Sequence, residues 1–536
     1  MDARVNSRIT LPAVVLIAAA ACLLYAPFLG YSPAYLAHDE VFFGLNGHQI
    51  ASTARDINGR WLPLYFQWPP NTQPDVWFQP IPVYFTALFL TVLPVSEWAI
   101  RLPTVVLGLI DIVLVYLVAA RVFDRPFLAA IAAGLLALTP AHMIHSRLAM
   151  DFLYPLPFVM AWLLCLMTFV ERRRPWMLFA ATTLLGLGFY SYIAAIAMMP
   201  VYFAMTCVVV WSLCDRPGRA LGVAVLGFGW PLLPLIPWAA AHWAAIADTL
   251  GRYGLYSATQ PHATILATVT SLPFLAAVVE RLSVYWRFFD PSYLFVAGGG
   301  YAVNTTHRVG VFLLPILFCL AAGINQIVNV RRSWITLLIL CGFLTGPLAA
   351  SVIGEPYAVQ RELFVLPFAI LIATIGVEWF ISAKHRPTRI AGWCLLAAVP
   401  VQFAVFYVDY FTAYRARSAF AFNGNLRGAM EALIDGAPNG DPRALYLSTD
   451  IRFVDLYWRF YLAKYHRRDL SNETVYFDPR TTDPQAIPDR SLVLRRVGTA
   501  PDGPGTALRT VSVIEGIDRI VCCEVLEKSG RRAASP

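Results

Sequence analysis

The chain has 536 residues, of which 58% are hydrophobic and only 14% are charged, and its mean hydropathy is +0.59. Soluble domains carry about 25% charged residues, so this composition excludes an ordinary soluble protein and predicts an integral membrane protein. The net charge of +8 does not indicate nucleic-acid binding, because much of it lies in short loops between apolar segments. The nine cysteines show no metal-ligand spacing, which argues against a disulfide framework or a zinc site.

Apolar segments recur along the first 410 residues. With their flanks, eleven of them approach the roughly 20 residues that a membrane span needs. If the N-terminus with Arg4 and Arg8 is cytoplasmic, every basic cluster between these apolar segments falls on the cytoplasmic side, as the positive-inside rule demands. We therefore predict a multi-pass protein of the bacterial plasma (inner) membrane with a cytoplasmic N-terminus. The segments are residues 9–30, 98–120, 127–142, 153–170, 176–191, 196–213, 220–243, 309–329, 334–353, 362–381 and 390–410.

One further apolar segment, "PIPVYFTALFLTVLP" at 80–94, does not fit this order. It is short for a span, prolines flank it, and counting it would move Arg121 and Arg125 to the outer side. We predict an interfacial or re-entrant helix on the outer side, and we predict the same for 263–282.

The tail has a different pattern. The stretches "RALYLSTD", "SLVLRRV" and "RIVCCEVLE" alternate like strands, and "NLRGAMEALIDG" has the period of an amphipathic helix. The predicted fold class is therefore an all-α polytopic membrane domain over 1–410, with about 11 transmembrane helices and outer interfacial helices. A small extracytoplasmic α/β domain follows over 411–536.

Polar residues that suit catalysis collect in the predicted outer loops. A carboxylate there can take a proton from an attacking hydroxyl, and arginines can stabilise a departing phosphate. In chain order these candidates are Asp39 and Glu40 after the first span, Arg147 and Asp151 in the second outer turn, His307 and Arg308 in the third outer loop at the edge of a span, and Arg361 in the fourth outer loop at the start of the next span.

Each candidate also has an interpretation without a catalytic role. Asp39 and Glu40 suit a solvated helix exit, and His307 with Arg308 suits a lipid-headgroup anchor. For the others the alternative is an ion pair: Arg147 with Asp151 at i,i+4 spacing, and Arg361 with Glu355 or Glu362.

Asp111 lies within a predicted span, where acids are functional candidates by default. We favour a hydrogen bond to a neighbouring helix. Asp111 would also suit a multi-pass transporter or lipid flippase, the main alternative function. Transporters, however, place their polar residues near the midplane, often in repeated halves, and no two halves match here. A non-catalytic scaffold for envelope assembly is a second alternative.

Four stretches together carry a resemblance. They are the "HDE" after the first span, "QPIPVYFTALFLTVLPVSEWAIRLPTVVLGLIDIVLVYLVAARVF", "HSRLAMDFLYPLP" and "PYAVQRELFVLPFAILIATIGV". In this order they resemble the membrane-embedded glycosyltransferases of the GT-C class. The closest branch is the protein-O-mannosyltransferase and aminoarabinose-transferase-like superfamily, whose donors are polyprenyl-phosphate sugars. The resemblance covers about residues 20–410.

The resemblance implies transfer of a sugar from a polyprenyl-phosphate donor to an envelope acceptor, which is a lipid, a glycan or a protein. It implies an inverting reaction on the outer face, with Asp39 as the general base and Asp151 as a second catalytic residue that positions the acceptor or tunes Asp39. Substrate binding would fall to Glu40, Arg147, His307, Arg308 and Arg361, of which Arg361 faces the donor phosphate.

The sequence departs from the family in one place. Where members often carry Lys-Pro-Pro before the interfacial helix, this chain reads Gln79-Pro80-Ile81-Pro82. A lysine that could hold the donor phosphate is therefore missing, and its role passes to the arginines. No metal ligand is carried over, and the need for a divalent metal is left open. Membrane lipids are the remaining expected partners.

Overall fold

The computed structural model describes residues 11–68, 76–123, 125–252, 272–437, 443–498 and 508–529. The chain forms two compact units, which we call the helical unit and the sheet unit. The helical unit comprises Met1–Pro27, Asn58–Tyr84 and Leu102–Val408, and the sheet unit comprises Phe28–Ile57, Phe85–Arg101 and Asp409–Pro536. The tail thus forms a unit together with two segments from the N-terminal part. Its location outside the membrane stays a prediction.

Helices dominate the described residues. In chain order they are α1 Leu11–Tyr25, α2 His38–Thr53, α3 Pro80–Leu90, α4 Glu97–Val122, α5 Pro126–Ala137, α6 Pro140–Ser146, α7 Pro155–Arg172, α8 Pro175–Gly188, α9 Ile193–Leu213, α10 Pro217–Gly229, α11 Leu235–Ala241, α12 Trp243–Arg252, α13 Leu272–Arg287, α14 Leu314–Asn329, α15 Trp334–Thr345, α16 Leu348–Ile353, α17 Val359–Glu362, α18 Val365–Ile381, α19 Arg386–Phe411, α20 Ala413–Ser418, α21 Leu426–Gly436 and α22 Val454–Lys464.

The strands are shorter. They are β1 Phe66–Gln67, β2 Trp77–Phe78, β3 Leu445–Ser448, β4 Thr474–Phe477, β5 Leu492–Arg495, β6 Leu508–Glu515 and β7 Val521–Lys528. Strands β1 and β2 form an antiparallel pair in the helical unit, and the other five form one sheet in the sheet unit.

Many helices are apolar enough to cross a membrane. Among the described residues, five helices meet the length and composition of a span, or up to seven if each of two bent helix pairs is one span. Shorter apolar helices accompany them, and each of the eleven predicted segments contains an apolar helix. A multi-pass membrane protein is therefore supported, while the count of eleven crossings is not confirmed and their orientation stays a prediction.

Helix α3 lies in the first segment predicted to be interfacial and has 11 residues, too few to span. The second such segment, 263–282, lies partly outside the described residues, and its described part belongs to α13. The interfacial position of both stays a prediction.

Proline sets the start of several helices and the bend between α5 and α6. The axes of α5 and α6 differ by 63°, and Pro140 begins α6. Thr139 before it is extended, with φ −85° and ψ 119°, because the proline ring disfavours the helical conformation of the preceding residue. The bend starts a short helix that ends at Ser146, immediately before Arg147.

Glycines allow the central helices of the helical unit to touch. A Cβ atom on Gly323 of α14 would lie 1.9 Å from the Ile372 carbonyl oxygen of α18. A Cβ atom on Gly376 of α18 would likewise lie 1.9 Å from the Cys319 carbonyl oxygen of α14. Such close backbone approach is how membrane helices gain packing energy when lipid removes the hydrophobic driving force between them.

The sheet has the strand order β4-β3-β5-β7-β6. Strand β3 pairs parallel with β4 and β5, whereas β7 pairs antiparallel with β5 and β6. The three alternating stretches of the tail contain β3, β5 and β7, and the amphipathic stretch forms α21, which Asn425 caps by accepting the Gly428 N–H at 2.9 Å. The small C-terminal sheet predicted from the sequence is thus present.

Helix α2 packs closely within the sheet unit. A Cβ atom on Gly44 would lie 2.9 Å from the Ile100 Cγ2 atom and 3.3 Å from the Phe460 ring of α22. Gly47 leaves as little room beside Thr86 of α3. These contacts pack the middle of α2 closely against its neighbours in the sheet unit.

Candidate active site

Glu40 is enclosed at the N-terminus of α2. Its Oε2 atom accepts the Ala37 N–H at 3.0 Å, in the geometry of a helix cap. Arg101 donates from Nε to Oε1 at 2.7 Å and from Nη2 to Oε2 at 3.0 Å. The Glu40 side chain is 0% exposed, so this geometry favours a positioning role over the predicted contact with substrate.

Arg101 extends the same network to the backbone. Its remaining N–H groups donate to the carbonyl oxygens of Leu29, Pro33 and Tyr35 at 2.8, 2.9 and 2.8 Å. All five guanidinium N–H groups are therefore used, which is the full capacity of an arginine. The ion pair fixes the segment that leads from residue 29 into α2.

Asp39 precedes Glu40 but has a different environment. Its side chain is 28% exposed, and its Oδ1 atom lies 3.6 Å from the His38 Nε2 atom. Desolvation is the largest influence on the Asp39 carboxyl and, with the charge of Glu40, raises its pKa, although the charges of His38 and Arg452 oppose this. Asp39 is thus a partly accessible carboxylate of increased basicity.

The tail supplies the surroundings of His38. The His38 ring stacks on Phe453 with ring centroids 4.6 Å apart, and Asn423 Nδ2 lies 3.4 Å from His38 Nδ1. Because an amide nitrogen donates, Nδ1 accepts, and a neutral His38 carries its proton on the Nε2 atom that faces Asp39.

The sequence did not lead us to predict a role for these tail residues, and helix α22 was not predicted either. Arg452 lies 4.7 Å from the centre of the Phe453 ring, and the Tyr457 hydroxyl donates to the Leu36 carbonyl at 2.7 Å. The aromatic-rich stretch "RFVDLYWRF" and the turn signal "NGN" were the available signs.

The helical unit contains the other candidates, beginning with Arg147. This side chain is fully buried and donates to the carbonyl oxygens of Tyr25 and Pro27, the latter at 2.8 Å. Asp151 is 4% exposed and begins a short 3₁₀ helix. No single helix joins the two residues, because α6 ends at Ser146, so their i,i+4 spacing does not place them on one helix face.

A buried polar chain lies beneath Arg147. The Tyr25 hydroxyl lies 2.8 Å from His142 Nδ1 and donates to the Ala137 carbonyl at 2.9 Å. On the other side of the His142 ring, Nε2 lies 3.5 Å from the Asp111 Oδ2 atom. Asp111 therefore faces a residue of another helix. The hydrogen bond predicted for it is not found, because within the described part of the chain neither of its oxygens makes one.

His307 and Arg308 are exposed on a constrained loop. His307 has φ +56°, and its N–H donates to Thr305 Oγ1 at 3.2 Å. Gly298 leaves room for this turn, since a Cβ atom there would lie 2.4 Å from Thr305 Oγ1.

Arg361 pairs with Glu355, one of its two predicted structural partners, with Nε 2.7 Å from Oε2. Glu362 is buried and accepts a hydrogen bond from the Tyr293 hydroxyl at 2.5 Å. Asn304 donates to Gln360 at 2.7 Å and so links the loop of His307 and Arg308 to helix α17, which contains Arg361. The structure thereby places these three basic residues on a loop and a short helix that are joined by a hydrogen bond.

An apolar pocket of about 270 Å³ also lies in the helical unit. Aromatic rings form much of its wall, with Trp77 and Trp238 at 5.4 Å and Tyr65 and Trp238 at 4.3 Å between centroids. Gln79, which occupies the position where the resemblance led us to expect a lysine, lines the same pocket.

The residues around Asp39 do not make a metal site. Both Glu40 oxygens are occupied by Arg101 and the Ala37 N–H. Across the described ranges, no group of three His, Cys, Asp or Glu side chains has the geometry to hold a metal ion. We therefore derive no step through a metal.

Comparison with known proteins identifies the fold. Residues 73–238 match the sequence model of the family described as dolichyl-phosphate-mannose-protein mannosyltransferase. A search of curated protein sequences found no significant match. The predicted resemblance to the GT-C class is confirmed by this match and by similarity to solved structures.

Two of these structures are of ArnT from Cupriavidus metallidurans. The structure bound to undecaprenyl phosphate has a TM-score of 0.58 and 14% identity, covering 98% of this chain and 100% of that one. The apo structure has a TM-score of 0.55 and 13% identity, covering 96% and 98%. The Archaeoglobus fulgidus oligosaccharyltransferase in the apo form has a TM-score of 0.47 and 15% identity, covering 85% and 65%. At these identities the ArnT structures show the fold.

Proposed function

We propose that this chain is a glycosyltransferase that moves a sugar from a polyprenyl-phosphate donor to an envelope acceptor, with inversion and with Asp39 as general base. The match to the mannosyltransferase family and the ArnT fold, seen there with undecaprenyl phosphate, support a lipid-phosphate donor. We place the reaction on the outer face of the bacterial plasma membrane, where the cytoplasmic N-terminus predicted from the charges puts the residues after the first span.

The observation that carries the proposal is the different state of two adjacent acids. Glu40 has both oxygens bonded and no exposed surface. Asp39 is partly exposed, and burial raises its pKa, which makes its carboxylate a better proton acceptor at neutral pH. Glu40 and Arg101 then act as positioning residues that hold Asp39 at a fixed helix end.

In the proposed reaction, Asp39 takes the proton of the acceptor hydroxyl as its oxygen attacks the anomeric carbon of the donor. The bond from that carbon to the phosphate oxygen breaks, and the polyprenyl phosphate leaves with the electron pair. Inversion follows because the attack comes from the face opposite the leaving group.

We assign the departing phosphate to Arg361, with Arg308 or His307 assisting. The exposure of Arg308 and His307, and the hydrogen bond from Asn304 of their loop to Gln360 of α17, support this assignment. Arg361 Nε lies 2.7 Å from Glu355 Oε2, and a guanidinium presents a planar fork of donors that matches phosphate oxygens.

Arg147 and Asp151 have supporting roles in the proposal. Arg147 is fully buried and holds two carbonyl groups at the end of α1, which favours positioning of that segment over direct contact with substrate. Asp151 remains a candidate for orienting the acceptor. The aromatic-walled pocket is proposed to take part of the donor's isoprenoid chain, since it is apolar and next to Gln79.

The decisive experiment supplies membranes containing the chain with a polyprenyl-phosphate sugar and measures released polyprenyl phosphate. Asp39→Asn should lose roughly 10²–10⁴-fold in rate, the usual contribution of a general base. The exposed Asp489→Asn is the matched control and should keep full activity. Normal transfer by Asp39→Asn would refute Asp39 as the base.

Mass spectrometry of envelope lipids and glycans from a deletion strain should reveal one lost sugar mass and thereby the acceptor. A transporter or flippase would instead release no polyprenyl phosphate in the membrane assay, and its activity would depend on Asp111.

A further inference from the structure

A second pocket, in the sheet unit, takes no part in the proposed reaction. It encloses about 250 Å³ between α2, the end of α3 and the segment after α22. Its lining has two chemical characters. His48, His466 and Arg468 make it basic on one side, and Leu90, Leu93, Pro94, Val95 and Ala463 make it apolar on the other.

No acid among the described residues neutralises the basic side. Arg468 Nη2 lies 2.8 Å from His48 Nε2, and within the described residues no carboxylate comes within ion-pair distance of Arg468. The neighbouring acid, Asp469, pairs instead with Arg467 at 3.0 Å.

The contact also defines the state of His48. Since a guanidinium only donates, Nε2 of His48 must accept, and the ring is neutral. Burial and the positive charges of Arg468 and His466 lower the His48 pKa. A bound anion would relieve this repulsion and would allow all three side chains to donate.

Exposed apolar side chains lie on the same segment as the apolar lining, on α3 and its following turn. Leu88 is 65% exposed and Val92 is 81% exposed. Exposed apolar side chains next to a polar rim are typical of a surface that meets lipid or another apolar ligand.

We propose that this pocket binds the phosphate of an anionic membrane lipid, with Arg468, His466 and His48 on the phosphate and the acyl chain along Leu88 and Val92. The volume is just below the roughly 300–1,000 Å³ of pockets for drug-sized ligands, so it fits one headgroup and not a whole lipid. Arginine suits the role because its planar fork matches phosphate oxygens. The site is separate from the proposed reaction and does not depend on it.

The test uses the purified full-length chain in detergent and short-chain phosphatidic acid as the probe, with bound molecules counted by native mass spectrometry. Arg468→Gln should weaken binding roughly tenfold, the worth of one charge-assisted hydrogen bond. Arg468→Lys keeps the positive charge but not the planar fork of donors, so it should weaken binding less than Arg468→Gln does. Arg480→Gln removes an exposed arginine of the same unit that does not line the pocket and should bind as the natural chain does.

Two further measurements use the natural chain, so they do not depend on the folding of a variant. The first distinguishes a lipid phosphate from free phosphate. Inorganic phosphate should bind far more weakly than phosphatidic acid, and the matching uncharged diacylglycerol should not bind. Phosphatidic acid should also protect His466 of the natural chain from diethyl pyrocarbonate, read by peptide mass spectrometry. Equal affinity for inorganic phosphate, equal binding by Arg468→Gln, or no protection of His466 would each overturn the proposal.

Discussion

Glu40 and Arg101 form a two-bond ion pair, at 2.7 and 3.0 Å, in which both side chains are buried. The pair closes the N-terminus of α2 and leaves Asp39 as the accessible acid of the two. This relationship connects the stability of the segment with its proposed chemistry, and the first two predictions separate these roles.

Breaking the ion pair should destabilise the chain. Glu40→Gln leaves the Arg101 charge buried without its partner, at a cost of about 3–5 kcal/mol. Thermal unfolding of the detergent-purified chain measures this cost. The control is Arg417→Gln, whose pair with Asp409 is partly exposed and should change stability by about 1 kcal/mol or less. Equal effects of the two substitutions would show that the buried pair contributes no more to the free energy of unfolding than the exposed pair.

Substitution of Asp39 should not destabilise the chain, in contrast to substitution of Glu40. Its pKa is raised in the folded chain, so the folded state favours the protonated form, and that stability is lost as pH rises through the raised pKa. At neutral pH Asp39→Asn should therefore retain or gain stability while it loses transfer activity. A variant that is both inactive and strongly destabilised would indicate a structural role.

The same raised pKa predicts the pH profile of transfer. The base must be ionised, so the rate should rise with pH through a pKa above that of an ordinary aspartate and should be lost below it. Measurement of kcat/KM against pH in the membrane assay checks this. A profile that is flat across the weakly acidic range would contradict the assignment.

The glycine contact between α14 and α18 should tolerate no side chain. Gly376→Ala places a methyl group 1.9 Å from the Cys319 carbonyl oxygen, so the helices must separate, with an expected loss of about 1–3 kcal/mol or more. Gly134→Ala is the matched control, because nothing lies within 4 Å of its added Cβ atom and alanine favours a helix by about 0.5–1 kcal/mol. Thermal unfolding of both variants should therefore shift in opposite directions.

The aromatic pocket predicts a chain-length effect. Trp238→Ala removes a ring that contacts both Trp77 and Tyr65, and it should raise KM for long polyprenyl donors. A donor with a very short lipid chain should show little change, because it does not reach the pocket. An equal rise in KM for both donors would place the isoprenoid elsewhere.

Local patterns were sufficient to predict the class of this protein. Hydropathy is a property of short windows, so each apolar segment could be located, and the alternation in the tail predicted strands β3, β5 and β7. Helix α22 was missed because its sequence, VDLYWRFYLAK, is buried on most sides and has no clear apolar face. The number of membrane crossings could not be predicted from the sequence either, because a bent helix pair can form a single span and a short helix can fail to cross.

The motif residues themselves were also visible in the sequence, but their roles were not. Whether Asp39 or Glu40 is the accessible acid depends on Arg101, which is 61 positions away. The surroundings of His38 come from Asn423 and Phe453 in the tail. Composition and periodicity alone therefore determined an apolar, mostly helical chain with acids and arginines in its loops. Only the tertiary structure decided which of them are enclosed and paired, because burial and ion pairing depend on residues that are distant in sequence.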